Sequence, residues 1–222
     1  MTDPLLSSID ARGVALVTLN RPEKHNAFDG DTIARLNKVL GALGNEPRAR
    51  VIVIAGAGTT FCAGADLDWM KHMATLDAAA NLADARALAE TLATLDTLPK
   101  PTIARVHGSA FGGGVGLIAC CDIAVGVSDA RFALTEVPLG VAPATISPYV
   151  LERIGAAAAR RLFLTAQRFP AEEGLRLGLY DRVVAHDALD GQVKQELDAI
   201  LQCSPSALAA CKRLIAGVPR LD

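Results

Sequence analysis

Gly108-Ser109-Ala110-Phe111-Gly112-Gly113-Gly114-Val115-Gly116 is the stretch that decides how this chain is read. It follows a short strand-like run, Thr102–Val106, and opens an apolar segment that reads as a helix to Cys121. Glycine lets the backbone approach a neighbour closely. A helix start leaves N–H groups without partners inside the helix, pointing at whatever lies beyond. A second loop has the same character: Thr59-Thr60-Phe61-Cys62-Ala63-Gly64-Ala65-Asp66-Leu67, after the apolar run Val51-Ile52-Val53-Ile54. Taken singly, either loop is better explained as a tight turn that lets helix and sheet pack closely. If the two converge, their N–H groups form an oxyanion hole. Neither is a nucleotide motif, because G-x-x-x-x-G-K-[ST] is absent and neither loop has the G-x-G-x-x-G spacing.

Working outward, Leu5–Asp10 and Val14–Leu19 are predicted strands joined at Arg12-Gly13, and Asn20-Arg21-Pro22 ends the second. Ile33, Leu36, Leu40 and Leu43 recur at helical spacing from about Asp31, and Gly44-Asn45 closes that helix. The unbroken run at 51–54 is expected to be a strand buried on both faces, followed by a loop from Gly56 to Trp69. Leu76–Leu98 reads as one long helix stopped by Pro99-Lys100-Pro101. Beyond the glycine run come strands at Ile123–Val127, Arg131–Leu134 and Arg182–Val184, with helices at roughly 144–154, 156–166 and 171–177. Ser204-Pro205 starts a last helix that carries Leu208, Cys211 and Ile215 on one face. Buried strands alternating with loops and helices define an α/β fold. Residues 1–185 form its core, and from about 186 to 222 the composition turns helical and polar.

The chain has 222 residues, enough for one sizeable core. Hydrophobic residues make up 51% and charged residues 21%, which excludes a disordered chain. A net charge of −2 gives no electrostatic reason to expect nucleic acid or an anionic membrane as partner. Met1-Thr2-Asp3-Pro4 is no secretory signal, and no apolar stretch is long enough for a bilayer. The cysteines at 62, 120, 121, 203 and 211 lack C-x-x-C spacing, so they are expected to be buried thiols in a reducing, cytoplasmic compartment. His25, His72, His107 and His186 are scattered, and no metal is expected.

Together the loops resemble those of the enoyl-CoA hydratase/isomerase, or crotonase, superfamily. Leu19-Asn20-Arg21-Pro22 with Asn26-Ala27 is similar to the family's N-terminal signature. Phe61–Leu67 is similar to its first oxyanion loop, and Phe111-Gly112-Gly113-Gly114 followed by Ala119-Cys120-Cys121-Asp122-Ile123-Ala124 to its second. The resemblance implies a spiral core of repeated ββα units with a helical C-terminal region. It implies that the N–H groups of Ala65 and Gly113 hold a thioester oxygen, with Gly112 beside them. Ala63, Gly64, Ala65, Asp66 and Leu67 would line the pantetheine channel. Lys24 is either a contact for the nucleotide end of coenzyme A or a solvated surface lysine.

Glu136, in Phe132-Ala133-Leu134-Thr135-Glu136-Val137-Pro138-Leu139-Gly140, matches a catalytic glutamate of the family's hydratases. An apolar setting should raise its pKa, which suits a group that takes and returns a proton. The departure is Gly116, where two-glutamate hydratases carry their other carboxylate. Gly140–Tyr149, with Cys120-Cys121 and Gly116, resembles the branch of methylglutaconyl-CoA and isohexenylglutaconyl-CoA hydratases, whose substrates are branched and carboxylated. Three readings stay open: a hydratase, an isomerase using one glutamate, and a non-catalytic acyl-CoA-binding protein. The resemblance implies no cofactor apart from the coenzyme A of the substrate, and assembly as a trimer or a pair of trimers. It also implies more C-terminal helix than a chain ending at Asp222 contains, whether the protein is naturally short or truncated.

Overall fold

The computed structural model describes residues 3–217, so the expectations drawn from Met1-Thr2 and from the end at Asp222 lie outside the described residues. In chain order the elements are β1 (Leu5–Ile9), β2 (Val14–Leu19), α1 (Gly30–Asn45), β3 (Val51–Gly56), α2 (Leu67–Met73) and α3 (Ala78–Asp96). There follow β4 (Thr102–Val106), β5 (Ala110–Phe111), α4 (Gly113–Cys120), β6 (Ile123–Val127) and β7 (Arg131–Ala133). The chain continues through α5 (Ser147–Thr165), β8 (Phe169–Pro170), α6 (Ala171–Leu177), β9 (Arg182–Val184), α7 (Leu189–Leu201) and α8 (Pro205–Gly217).

Six strands form the main sheet in the order β1-β2-β3-β4-β6-β9. Only β1 is antiparallel, pairing Leu5 with Leu19, and from β2 onward the neighbours are parallel. β3 is buried along Val51–Ala55, as an unbroken Val-Ile run requires of a strand covered on both faces. α1 buries Ile33, Leu36, Leu40 and Leu43 and packs on α3, which packs on α4. Each of those side chains contributes about 1.5–3 kcal/mol by leaving water. α7 packs on β3, β4 and β6 through Leu189, Val193, Leu197 and Ile200. α8 is pinned by Lys212, whose Nζ lies 2.6 Å from Asp122 Oδ2, the oxygen that also accepts the Thr102 N–H.

A small second sheet, β5-β7-β8, gives the architecture its repeat. Single bridges extend its pattern: Cys62 pairs with Ala110, and Phe28 with Ala65. A main-sheet strand, a short extended piece and a helix therefore recur: β2, Phe28 and α1; β4, β5 and α4; β6, β7 and α5. This is the expected ββα spiral. Both loops singled out in the sequence leave the carboxyl ends of parallel strands, β3 and β4, where α/β folds place their ligands.

Three details differ from the sequence reading. The loop expected to reach Trp69 ends at Asp66, which caps α2 by accepting the N–H groups of Asp68 and Trp69. The helices expected on either side of residue 155 are one continuous element bent at Gly155, whose φ of 73° breaks the helical path. Cys203 and Cys211 are exposed, unlike Cys62, Cys120 and Cys121: Cys203 lies in the turn between α7 and α8, and Cys211 on α8, which buries none of its residues.

Candidate functional site

The N-terminal turn builds the support. His25 and Asn26 both adopt positive φ, 52° and 55°, which turns the Asn26 side chain inward. Asn26 is 1% exposed, and its amide donates to the carbonyls of Ala57 (2.8 Å) and Thr60 (2.7 Å) while its oxygen accepts the Arg21 N–H. Arg21 reaches across to the Ala27 carbonyl, the Asp29 carboxylate and, at 2.9 Å, Asp66. The Arg21-Pro22 turn therefore fixes both ends of the 57–66 loop. Burial alone would raise the Asp66 pKa. The N–H groups of Asp68 and Trp69, with Arg21 and Lys24, outweigh it and hold the carboxyl below the usual range.

The two glycine loops then lock together through their backbones. Phe111 donates to the Cys62 carbonyl (2.9 Å) and Phe61 to the Ser109 carbonyl (3.0 Å). Phe28 donates to Gly64 (2.7 Å) and accepts from Asp66 (2.7 Å). None of these bonds uses the N–H group of Ala65 or of Gly113. Among the described residues, neither of their N–H groups has a protein acceptor. Gly113 stands at the first position of α4, where no intrahelical acceptor exists. Ala65 lies between residues bonded to Phe28, so its own N–H faces away from that neighbour.

Glycine at 64 is what lets the loops meet. Its φ is +83°, and a Cβ there would lie 2.7 Å from the Phe111 carbonyl oxygen and 3.3 Å from the Gly113 nitrogen. Gly114 is similarly pressed on Cys62, whose carbonyl oxygen would lie 2.5 Å from an added Cβ.

Glu136 comes to the same place from the end of β7. A Cβ on Gly112 would stand 3.0 Å from Glu136 Oε1, so the carboxylate lies directly over the glycine run. The other oxygen, Oε2, is buried with no hydrogen-bond partner among the described residues. Burial is the chief influence on this group and raises its pKa, against a weaker lowering by its own backbone. One carboxyl group with a free oxygen thus lies beside two unpartnered N–H donors. The arrangement suits a reaction that develops negative charge on a carbonyl oxygen and moves a proton close by. Cys62, in the same loops, is a poor nucleophile because burial pushes its thiol up to about 12.

The remaining sequence candidates occupy the rim. Lys24 is exposed and pairs with Asp68 at 2.8 Å, so its charge is shared with the first turn of α2. Ala63 is tied to the N-terminal turn by donating to the His25 carbonyl (2.9 Å), and Leu67 is 57% exposed. Two residues escaped the sequence reading as individuals. Arg21 was visible only as part of a signature, and Ile146, against Gly116, only as part of an unusual segment. The histidines are less scattered than their spacing suggests: His107 and His186 line one open cleft with Arg105 and Asp129, a cleft that does not include Ala65, Gly113 or Glu136.

A family model described as enoyl-CoA hydratase/isomerase matches residues 10–217. Among curated relatives, the short-chain-enoyl-CoA hydratase of Clostridium acetobutylicum is 36% identical over 206 residues, covering 91% of this chain and 77% of that protein. The (E)-benzylidenesuccinyl-CoA hydratase of Thauera aromatica is 33% identical over 202 residues, covering 90% and 77%. Among solved structures, an enoyl-CoA hydratase from Shewanella pealeana superposes with a TM-score of 0.95 at 42% identity, covering 98% of this chain and 81% of that one.

Proposed function

The chain belongs to the enoyl-CoA hydratase/isomerase family, and from its site we infer a hydratase that adds water across the C2=C3 bond of an enoyl-CoA thioester. The observation that carries this reading is Glu136: a half-buried side chain whose Oε2 is buried with no partner among the described residues, held over the glycine run beside the Ala65 and Gly113 N–H groups. In the proposed reaction the Glu136 carboxylate takes a proton from water as its oxygen bonds to C3. The electron pair of the double bond moves through C2 to the thioester oxygen, giving an enolate held by the two N–H groups. Glu136 then returns the proton to C2. Water is thereby added with both its elements delivered from one side, the enolate charge is discharged, and Glu136 is again a carboxylate.

The N–H pair acts only if it binds the enolate more tightly than the neutral thioester. Its task therefore begins with charge development, and preorganised donors serve it without reorganising. Lys24 and the 63–67 loop would hold the coenzyme A arm. No cofactor beyond that coenzyme A enters the scheme. We take the acyl group to be branched or carboxylated. This rests on the likeness of Gly116, Cys120-Cys121 and the 140–149 segment to the methylglutaconyl-CoA branch. It is in keeping with the relative named for benzylidenesuccinyl-CoA, a thioester that retains a second carboxyl. We place the protein in the cytoplasm. Among the described residues no helix is long and apolar enough to cross a membrane. We also propose a trimer or a pair of trimers, with exposed Leu164, Leu214 and Ile215 as apolar surface for contacts between subunits; a stable monomer by mass measurement would count against this.

Gly116 favours one competing reading. A site with a single carboxylate also suits an isomerase, in which Glu136 removes a proton from one carbon and returns it to another. A panel of straight, branched and carboxylated enoyl-CoA thioesters separates the two. Loss of enoyl absorbance with formation of a 3-hydroxyacyl product supports hydration. Double-bond migration with exchange in heavy water and no hydroxylated product selects the isomerase. Binding without turnover of any thioester would leave an acyl-CoA-binding protein.

A further inference from the structure

Gly112 caps α4 and Gly116 lies one turn into it, the Gly116 N–H donating to the Gly112 carbonyl at 3.2 Å. At the first, an added Cβ would meet Glu136 Oε1. At the second it would lie 2.4 Å from Ile146 Cγ2 and 3.0 Å from Ile146 Cβ, with Leu92 Cδ1 at 3.8 Å. Ile146 is 1% exposed and Leu92 fully buried. The isoleucine is also fixed in place: it stands at the start of α5, where its carbonyl accepts the Val150 N–H (3.1 Å) and Ser147 donates to Pro143 (3.0 Å).

Side chains on a helix lean back toward its N-terminus and cover the preceding turn. A side chain at 116 would therefore be aimed at the turn over which Glu136 is held. To get there it must pass through the space that the branched Cβ of Ile146 fills. Isoleucine is stiff at this branch point, so it cannot swing clear as a longer unbranched side chain would.

We propose that Ile146 is the positioning residue that limits this site to one titratable carboxyl group, and that Gly116 and Ile146 form a matched pair. The proposal rests on the reading of Glu136 as the site's acid/base. Gly116 is then more than a lost carboxylate. The vacated volume has been refilled with hydrocarbon, which keeps water and a second charge off the α4 face next to Glu136. Removing Ile146 should reopen that volume to a carboxyl group carried by residue 116.

The experiment is a double-mutant cycle over Gly116→Glu and Ile146→Ala, with Gly116→Ala as the milder probe should Gly116→Glu not fold. Thermal unfolding should show Gly116→Ala or Gly116→Glu lowering the melting temperature by roughly 5–10 °C in the Ile146 background, the usual result of overpacking. The same change in the Ile146→Ala background should lower it by less than half as much. Carboxyl NMR titration supplies a readout that mere packing would not move. In Gly116→Glu/Ile146→Ala the Glu136 resonance, assigned from its loss in Glu136→Gln, should titrate at clearly higher pH than in Ile146→Ala alone. Two carboxyl groups brought together resist joint ionisation. Additive melting losses, or a Glu136 titration unchanged by the second carboxyl group, would overturn the proposal. Both readouts are independent of turnover, so failure of the hydratase reading appears separately, as no hydration by any form of the protein.

Discussion

Asp66 and Glu136 are two carboxylic side chains largely withdrawn from water beside the same pair of loops, and the fold treats them oppositely. Asp66 is 6% exposed, yet both its oxygens are engaged, by the N–H groups of Asp68 and Trp69 and by Arg21. Its carboxyl stays ionised and below the usual range. Glu136 meets burial with nothing to offset it at Oε2, and its pKa rises. Burial alone therefore does not distinguish a brace from an acid/base. The number of partners does. A carboxylate whose hydrogen bonds are all provided contributes stability, while one left with a free oxygen keeps a costly reactivity for a substrate.

The largest effect expected from this contrast is on turnover. Glu136→Gln keeps the shape but can neither take nor return a proton. It should lower the hydration rate by about 10²–10⁴-fold, the usual contribution of a positioned acid/base. Asp66→Asn should leave folded protein within about tenfold of the parent, because Asp66 acts only through the loop it braces. If Glu136→Gln turns over at the parent rate, Glu136 has no part in the chemistry. If folded Asp66→Asn loses as much as Glu136→Gln, the division between brace and acid/base fails.

The next effect is on stability and has the reverse order. Asp66→Ala removes the cap of α2, worth about 1 kcal/mol. It also leaves the Arg21 guanidinium with Asp29 and the Ala27 carbonyl but without its Asp66 partner. A loss of roughly 2–3 kcal/mol is expected, since stranding one member of a buried pair costs more than an exposed one. In a chain of this size that corresponds to a fall of about 5–10 °C in melting temperature. A shift smaller than about 2 °C would show that the loop is held by its backbone bonds alone.

The contrast was only half legible in the sequence. The strands of the main sheet, α1, α3 and the glycine run could be read because Val-Ile runs, helical spacing and glycines act locally. The position of Glu136 over Gly112 could not, since it depends on β7 lying beside β5, whose two residues, Ala110 and Phe111, are too few to show a period. The cap on α2 was missed because one residue, Asp66, both ends a loop and starts a helix. Ile146 was hidden for a different reason. Nothing in the spacing of residues 116 and 146 marks them as neighbours; only the packing of Ile146 Cγ2 within 2.4 Å of where a Cβ on Gly116 would stand joins them.

The smallest effect is the most discriminating, because the two carboxyl groups should differ in sign. A carboxyl whose folded pKa is raised, as at Glu136, is favourable to folding below its unfolded value near 4.5, and that advantage is lost as pH rises through the folded value. At pH 8 the native protein therefore carries a buried, incompletely bonded charge that Glu136→Gln lacks. The variant should melt slightly higher than its parent there, by about 1–3 °C, with the gap closing toward pH 4.5. Asp66 runs the other way. Its lowered pKa gives stability that is complete above the unfolded value of 3.8 and is lost as pH falls through the folded one. Asp66→Asn should therefore melt lower than its parent at pH 8, with the deficit shrinking in acid. Melting curves of the three proteins between about pH 2 and 8 read both slopes at once, that of Asp66 below pH 3.8 and that of Glu136 above 4.5. A Glu136→Gln variant less stable than its parent at pH 8 would mean that the Glu136 carboxylate is bound by the fold, as Asp66 is, and is no longer available to a substrate.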